Sequence, residues 1–275
     1  MKDLNLSVVL RGVSWTTVLV AFTVGLLAGT VTGFTGASGV VVVVPLLSLL
    51  CGLTVHSAIA ASLFVDTLAS LTVAYTYFRN GRVEVKDGVM IGLSSIAGAQ
   101  IGAFIASATP ESRISRAFGV FTIALGIMMM RRSRGQGLLS KDFSGITSRL
   151  PPTQRVLATV ILGFGVGVIT GVFGAGGGLM FLLLLVVVLG EPLHKAVGTS
   201  TLIMALTAFS GTVGYLVHGF LDVLYSAATS VGSILAGAAA SRVANRLPER
   251  TLSMVMGLVF LAIGALMILL RGGLS

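Results

Sequence analysis

Two glycine-rich turns are the feature of this 275-residue sequence with the clearest chemical meaning. The first comprises Gly36, Ala37, Ser38 and Gly39, and the second comprises Gly174, Ala175, Gly176 and Gly177. Each turn interrupts an apolar run, and the short segment that follows begins with backbone N–H groups that lack a helical partner. Because a helix start carries partial positive charge and receives anions, the turns predict a site for a small anion. A duplicated hinge without a ligand is the alternative.

Histidine and hydroxyl side chains follow each short segment. Hydroxyl groups replace the water around a dehydrating solute, and histidine carries a proton or donates a hydrogen bond to an anion. Interface anchoring and helix capping are the structural alternatives for the histidines, and helix packing is the alternative for the hydroxyls. The candidate binding residues in these junctions are His56, Ser62, His194, Thr199, Ser200 and Thr201.

Asp66 is the third candidate, because it lies near the middle of an apolar segment at 57–78. A charge at that depth in a bilayer is expensive, which makes an acidic residue there a functional candidate. An ionised Asp66 beside an anion site would repel the anion, whereas a carboxyl that exchanges a proton would not. We therefore predict that Asp66 couples transport to protons, with a cation ligand and a neutral structural carboxyl as the alternatives.

The composition indicates an integral membrane protein. Hydrophobic residues make up 55% of the chain, charged residues 10%, and the mean hydropathy is +1.02. A soluble domain carries about 25% charged residues, so a soluble enzyme and a separate catalytic domain are excluded. The net charge is +9, and the basic residues responsible for it lie in short loops between apolar runs. This placement favours a role in setting membrane topology over nucleic-acid binding. The single cysteine, Cys51, excludes a thiolate metal site, and we expect no catalytic residue, metal or cofactor.

The sequence repeats itself at an offset of 138 residues. Between 29 and 62, twelve of 34 positions are identical to their counterparts, including Thr32 with Thr170 and His56 with His194. Asp66 falls on Met204, so the two halves differ at this position. We expect a first transmembrane repeat at 13–130, a basic cytoplasmic loop at 131–155 and a second repeat at 156–270.

Each repeat contains four to five transmembrane segments. The second apolar segment of each half, at 40–53 and at 179–190, is shorter than the roughly 20 residues that cross a bilayer. It is typical of a half-helix or a re-entrant segment. Two matching interruptions favour an inverted-repeat transporter with its site at the breaks. The predicted fold class is an all-α integral membrane protein of two fused repeats, and whether the short segments cross stays open.

The turn at Gly36–Gly39 also matches Gly-x-Ser-Gly, the nucleophile motif of rhomboid intramembrane proteases. A serine nucleophile there would be Ser38, with a histidine as its base. Since Ser38 falls on Gly176 in the repeat, the duplicated glycine turn explains the motif better. The protease is the remote alternative.

The paired turns, the His-x-Ala junctions at His56 and His194, and Gly198-Thr199-Ser200 resemble the TauE/SafE family, called sulfite exporters. The resemblance covers about 20–270, and the first half departs from it where Ser38 interrupts the glycine run. It implies export of sulfite or an organosulfonate across the plasma membrane of a prokaryote, with a small sulfur anion and the lipid bilayer as partners and no nucleic acid. A drug/metabolite-type exporter is the alternative transporter.

Overall fold

The computed structural model describes residues 15–35, 40–133, 151–174 and 177–244, together with eleven helical residues between 254 and 269. Within these residues every regular element is helical, as the all-α prediction requires. The elements are α1 (Trp15–Thr35), α2 (Val40–Leu50), α3 (Val55–Arg79), α4 (Val85–Ser107), α5 (Glu111–Ser133), α6 (Pro152–Phe173), α7 (Gly177–Leu183), which continues into a π-helical turn (Leu184–Val188), α8 (Leu193–Val217) and α9 (Val223–Ala244).

Five helices in the described residues are long and apolar enough to cross a membrane. The two apolar segments predicted to be short are also short in the structure. Helix α2 has 11 residues, and α7 has seven before a five-residue π-helical turn. The qualifying stretches lie in α1, α3, α4, α6 and α8, at Trp15–Thr32, Val55–Arg79, Val85–Ser107, Thr153–Phe173 and Lys195–Val217.

Each short segment ends beside the start of the long helix that precedes it. The Cys51 sulfur, just after α2, lies 3.8 Å from the Thr17 carbonyl oxygen near the start of α1. In the second half the Arg155 guanidinium, near the start of α6, donates to the Leu189 carbonyl oxygen at 3.0 Å. The chain therefore returns to its starting side before α3 and again before α8.

Small residues bring pairs of helices into close contact. Gly25 and Gly29 of α1 face the backbone of Thr229 and Ser233 in α9. The same spacing recurs between α6 and α4, where Gly167 faces Ser95 and Gly171 faces Ala99. The residue numbers at the contacts increase in the same direction along both helices, so the two helices of each pair run parallel. Small residues at such contacts allow membrane helices to pack closely.

Helices α3 and α8 form the centre of the bundle and run antiparallel. Leu63, early in α3, contacts Gly211, late in α8, while Tyr77 at the end of α3 contacts Gly198. Two ends of the bundle follow from this arrangement. The "His56 end" holds the start of α3 and the ends of α4 and α8, and the "Lys195 end" holds the end of α3 and the starts of α4 and α8.

Candidate functional site

The break between α6 and α7 lies in the interior of the bundle. Gly174 ends α6 in the left-handed conformation, with φ of +66°, and its N–H donates to the Thr170 carbonyl oxygen at 2.7 Å. A side chain at this position would strain the backbone, and its Cβ would lie 2.5 Å from the Ser62 hydroxyl. Both Gly174 and Gly177, the first residue of α7, are buried. Glycine is therefore needed for the turn and for the approach of α3.

Ser62, one of the predicted site residues, lies on α3 where this helix approaches the break. Its hydroxyl is fully buried, lies 2.6 Å from the Ile59 carbonyl oxygen and reaches the Gly174 carbonyl oxygen at 3.4 Å. A polar side chain from the first half of the chain thus meets a glycine turn from the second half. This contact joins two of the predicted site residues.

Thr170 and Met204 lie against Gly177 at the start of α7. A Cβ at Gly177 would lie 2.5 Å from the Thr170 hydroxyl oxygen and 2.9 Å from the Met204 sulfur. Thr170 is fully buried and its hydroxyl donates to the Val166 carbonyl oxygen at 2.9 Å. Thr170 is not among the site residues predicted from the sequence, although its identity with Thr32 at the repeat offset was a signal for it.

Asp66 lies one helical turn beyond Ser62 on α3, so the two side chains share one face of the helix. Its side chain is 2% exposed. On α8, Ser200 stands one turn before Met204 and is likewise buried, with its hydroxyl donating to the Val197 carbonyl oxygen. The middle of α3 and of α8 therefore presents a carboxyl and two hydroxyl-bearing residues close to the level of the break.

His56 is not brought to the break. It lies six residues before Ser62, which is about 9 Å along the helix. Its Nε2 is 2.9 Å from the Ala106 carbonyl oxygen and 3.1 Å from that of Thr109, and its ring stacks on Phe220 with centroids 4.9 Å apart. In this structure His56 thus anchors the end of α4. The side chain of His194 lies outside the described residues.

Two further predicted residues are occupied by helix contacts. The Thr199 hydroxyl accepts a hydrogen bond from the Glu84 backbone N–H at 2.9 Å, which places it at the Lys195 end. The Thr201 hydroxyl donates to the Gly198 carbonyl oxygen at 2.8 Å. The remaining predicted residues lie outside the described part of the chain: Gly36, Ala37, Ser38, Gly39, Ala175 and Gly176.

The described residues contain no group of three His, Cys, Asp or Glu side chains that could hold a metal ion. In the same part of the chain, the buried polar residues comprise serines, threonines, His56 and Asp66, without a buried lysine or arginine. An anion held near the break would therefore rely on N–H and O–H donors. An anion bound there would face no fixed positive charge among the described residues, and the absence of that charge would favour its release.

A comparison with protein families identifies the chain. The profile described as "Sulfite exporter TauE/SafE" matches residues 21–267. The chain belongs to the TauE/SafE family. The chain is also similar to curated relatives that are named as probable membrane transporter proteins. It is 28% identical to the probable membrane transporter protein YunE of Bacillus subtilis over 89% of this chain and 94% of that protein.

Two other relatives are the probable membrane transporter protein YdhB of Bacillus subtilis and MJ0441 of Methanocaldococcus jannaschii. YdhB is 27% identical over 81% of this chain and 89% of its own length. MJ0441 is 26% identical over 74% of each chain. No solved structure matches the chain. This TauE/SafE protein is a multi-pass transporter of the cell membrane.

Proposed function

We propose that this transporter exports small sulfur-containing oxyanions such as sulfite or an organosulfonate. The observation that carries the proposal is the buried α6–α7 break, where the Ser62 hydroxyl reaches Gly174 and the Thr170 hydroxyl lies against Gly177. Backbone N–H groups and hydroxyls in such a place suit an oxyanion that has lost its water. The family description supports sulfite as the first substrate to test. Thr199 and Thr201 remain candidates only for a state in which their helix contacts change.

The two halves of the chain are proposed to be inverted repeats. The contact between Thr17 and Cys51 has its counterpart, 138 residues later, in the contact between Arg155 and Leu189. Helices α3 and α8 are each other's counterparts and run antiparallel, as an inverted relation requires. In this scheme 13–130 and 156–270 are the repeats, and the basic loop at 131–155 lies in the cytoplasm together with the Lys195 end.

Asp66 is the proposed proton carrier. It is buried in a membrane-spanning helix one turn from Ser62, and the residue at its repeat position is Met204. If the halves are inverted repeats, the break in the second half faces the Met204 thioether, and the break in the first half faces the Asp66 carboxyl. A protonated Asp66 leaves room for an anion, whereas an ionised one disfavours it, so anion and proton would move together.

Flux of labelled sulfite into proteoliposomes, with and without a pH gradient, tests this function. Taurine and sulfate serve as competitors. We expect saturable flux that responds to the gradient, and an Asp66→Asn variant that keeps flux but loses the response. If folded protein carries no sulfite flux in either membrane orientation, sulfite is refuted as the substrate. Flux of a neutral or cationic solute that sulfite does not inhibit would favour the drug/metabolite-type alternative.

A further inference from the structure

An ion pair joins the two halves of the chain at the Lys195 end. The Lys195 ammonium nitrogen, in the first turn of α8, lies 2.5 Å from Glu84 Oε1, just before α4. The side chains of Lys195 and Glu84 are 44% and 39% exposed. Water therefore weakens the attraction, and the pair can break and form again at little cost.

Two backbone contacts place the same segments against each other. The Glu84 N–H donates to the Thr199 hydroxyl oxygen at 2.9 Å. One residue earlier on α8, Gly198 leaves no room for a Cβ atom, because that atom would collide with the Arg82 carbonyl oxygen. The connection between α3 and α4 thus lies directly on the first two turns of α8, held by one charge pair, one hydrogen bond and one glycine contact.

The His56 end is closed by different chemistry. There the Phe220 ring, from the connection between α8 and α9, stacks on His56 and meets Tyr215 edge to face, with centroids 6.3 Å apart. Opening that end separates aromatic surfaces and the hydrogen bonds of the His56 ring, whereas opening the Lys195 end separates a charge pair and the bond to Thr199. The two ends therefore respond to different perturbations.

We propose that the contacts of Glu84 and Arg82 with Lys195, Gly198 and Thr199 form the cytoplasmic gate of the transporter. A transporter that exposes one site to each side in turn needs a barrier at each end. This barrier joins α3–α4 to α8, the helices that flank the break. The inference rests on the proposed orientation and on the proposed site between the two ends. It does not depend on the identity of the solute.

A cysteine at the break reports on the gate. In a Cys51→Ser background, Met204→Cys places a thiol against Gly177, at a position that is 2% exposed. Inside-out vesicles are treated with a membrane-impermeant methanethiosulfonate, and the labelling rate is followed. We expect slow labelling with the ion pair intact and about two- to fivefold faster labelling after Lys195→Gln or Glu84→Gln, since a half-exposed pair is weak. Lys86→Gln, an exposed lysine at the same end, serves as the control and should leave the rate unchanged.

Two further variants separate the gate from a general loss of packing. The charge exchange Glu84→Lys with Lys195→Glu restores the attraction and should restore slow labelling. Gly198→Ala forces α8 away from Arg82 and should accelerate labelling on the order of tenfold. Two results would overturn the gate. One is a labelling rate in the single variants equal to the parental rate, and the other is a charge exchange in which the cysteine is labelled as fast as in the single variants. Since the readout is access to a thiol, these results stand apart from whether sulfite is transported.

Discussion

Ser62 is the residue at which the first half of the chain touches the break in the second half. Replacing it by alanine removes the hydroxyl that reaches the Gly174 carbonyl oxygen and leaves the helix intact. Loss of one hydrogen bond between this hydroxyl and the bound anion, worth about 1 kcal/mol, corresponds to about a fivefold change in affinity for the anion. We expect Ser62→Ala to raise the KM for sulfite flux by about that factor. Ser107→Ala, which removes a hydroxyl bonded only within α4, is the control. Equal KM values for the two variants would contradict a role for Ser62 at the site.

Glu191 is the residue whose ionisation should be visible in stability. Burial, followed by the carboxylates of Glu84 and Asp87, raises the pKa of Glu191, while Lys195 and Arg155 oppose the rise. The folded protein therefore holds this proton to a higher pH than the unfolded chain, and the folded state loses stability as Glu191 ionises. The side chain is only partly buried, so the effect is below about 1 kcal/mol.

Thermal unfolding in detergent between pH 4 and pH 8 measures this effect. We expect Glu191→Gln to have a higher Tm than the parent protein at pH 8 and an advantage that shrinks toward pH 4. Lys86→Gln, a charge change at an exposed position of the same end, should not show this trend. If the Tm advantage of Glu191→Gln over the parent grows as the pH falls, the pKa of Glu191 is lowered in the folded protein and not raised.

At the scale of elements, the parallel pair α4 and α6 depends on small residues at the contact. A Cβ at Gly167 would collide with the Ser95 carbonyl oxygen, whereas a Cβ at Gly165, on the same helix, meets nothing within 4 Å. Overpacking costs about 1–3 kcal/mol, while alanine in place of an uncrowded helical glycine gains up to about 1 kcal/mol. We expect Gly167→Ala to lower Tm and Gly165→Ala to maintain or raise it. The opposite order would show that α4 and α6 do not pack as described.

The apolar runs of the sequence located the helices well because a membrane span is a continuous apolar run. The run predicted at 57–78 corresponds to the helix Val55–Arg79, and the short run predicted at 40–53 corresponds to the helix Val40–Leu50. The π-helical turn at Leu184–Val188 was not predictable, since its five apolar residues fit an α-helix equally well. His56 is a predicted site residue because it follows a short segment, matches His194 in the repeat and can carry a proton or donate to an anion. His56 lies six residues before Ser62 on α3, and its ring is held by a carbonyl oxygen of α4. Both facts keep His56 away from Gly174.

At the scale of the whole molecule, inverted repeats predict opposite faces for matching positions. Asn80 follows α3 and His218 follows α8, and the two occupy the same position in the repeat. Both are exposed. In a Cys51→Ser background we expect His218→Cys to react with an impermeant maleimide in intact cells, and Asn80→Cys to react only after permeabilisation. Reaction of both from one face would indicate repeats of the same orientation.

The most direct test of the central claim is sulfite flux through a Gly177→Ala variant. The added methyl group would lie 2.5 Å from the Thr170 hydroxyl oxygen and would fill the space beside the break. Gly165→Ala, measured in parallel proteoliposomes with equal amounts of folded protein, adds the same methyl group where nothing is in contact. We expect flux to be lost in Gly177→Ala and retained in Gly165→Ala. Undiminished, saturable sulfite flux through Gly177→Ala would contradict an anion site at the α6–α7 break.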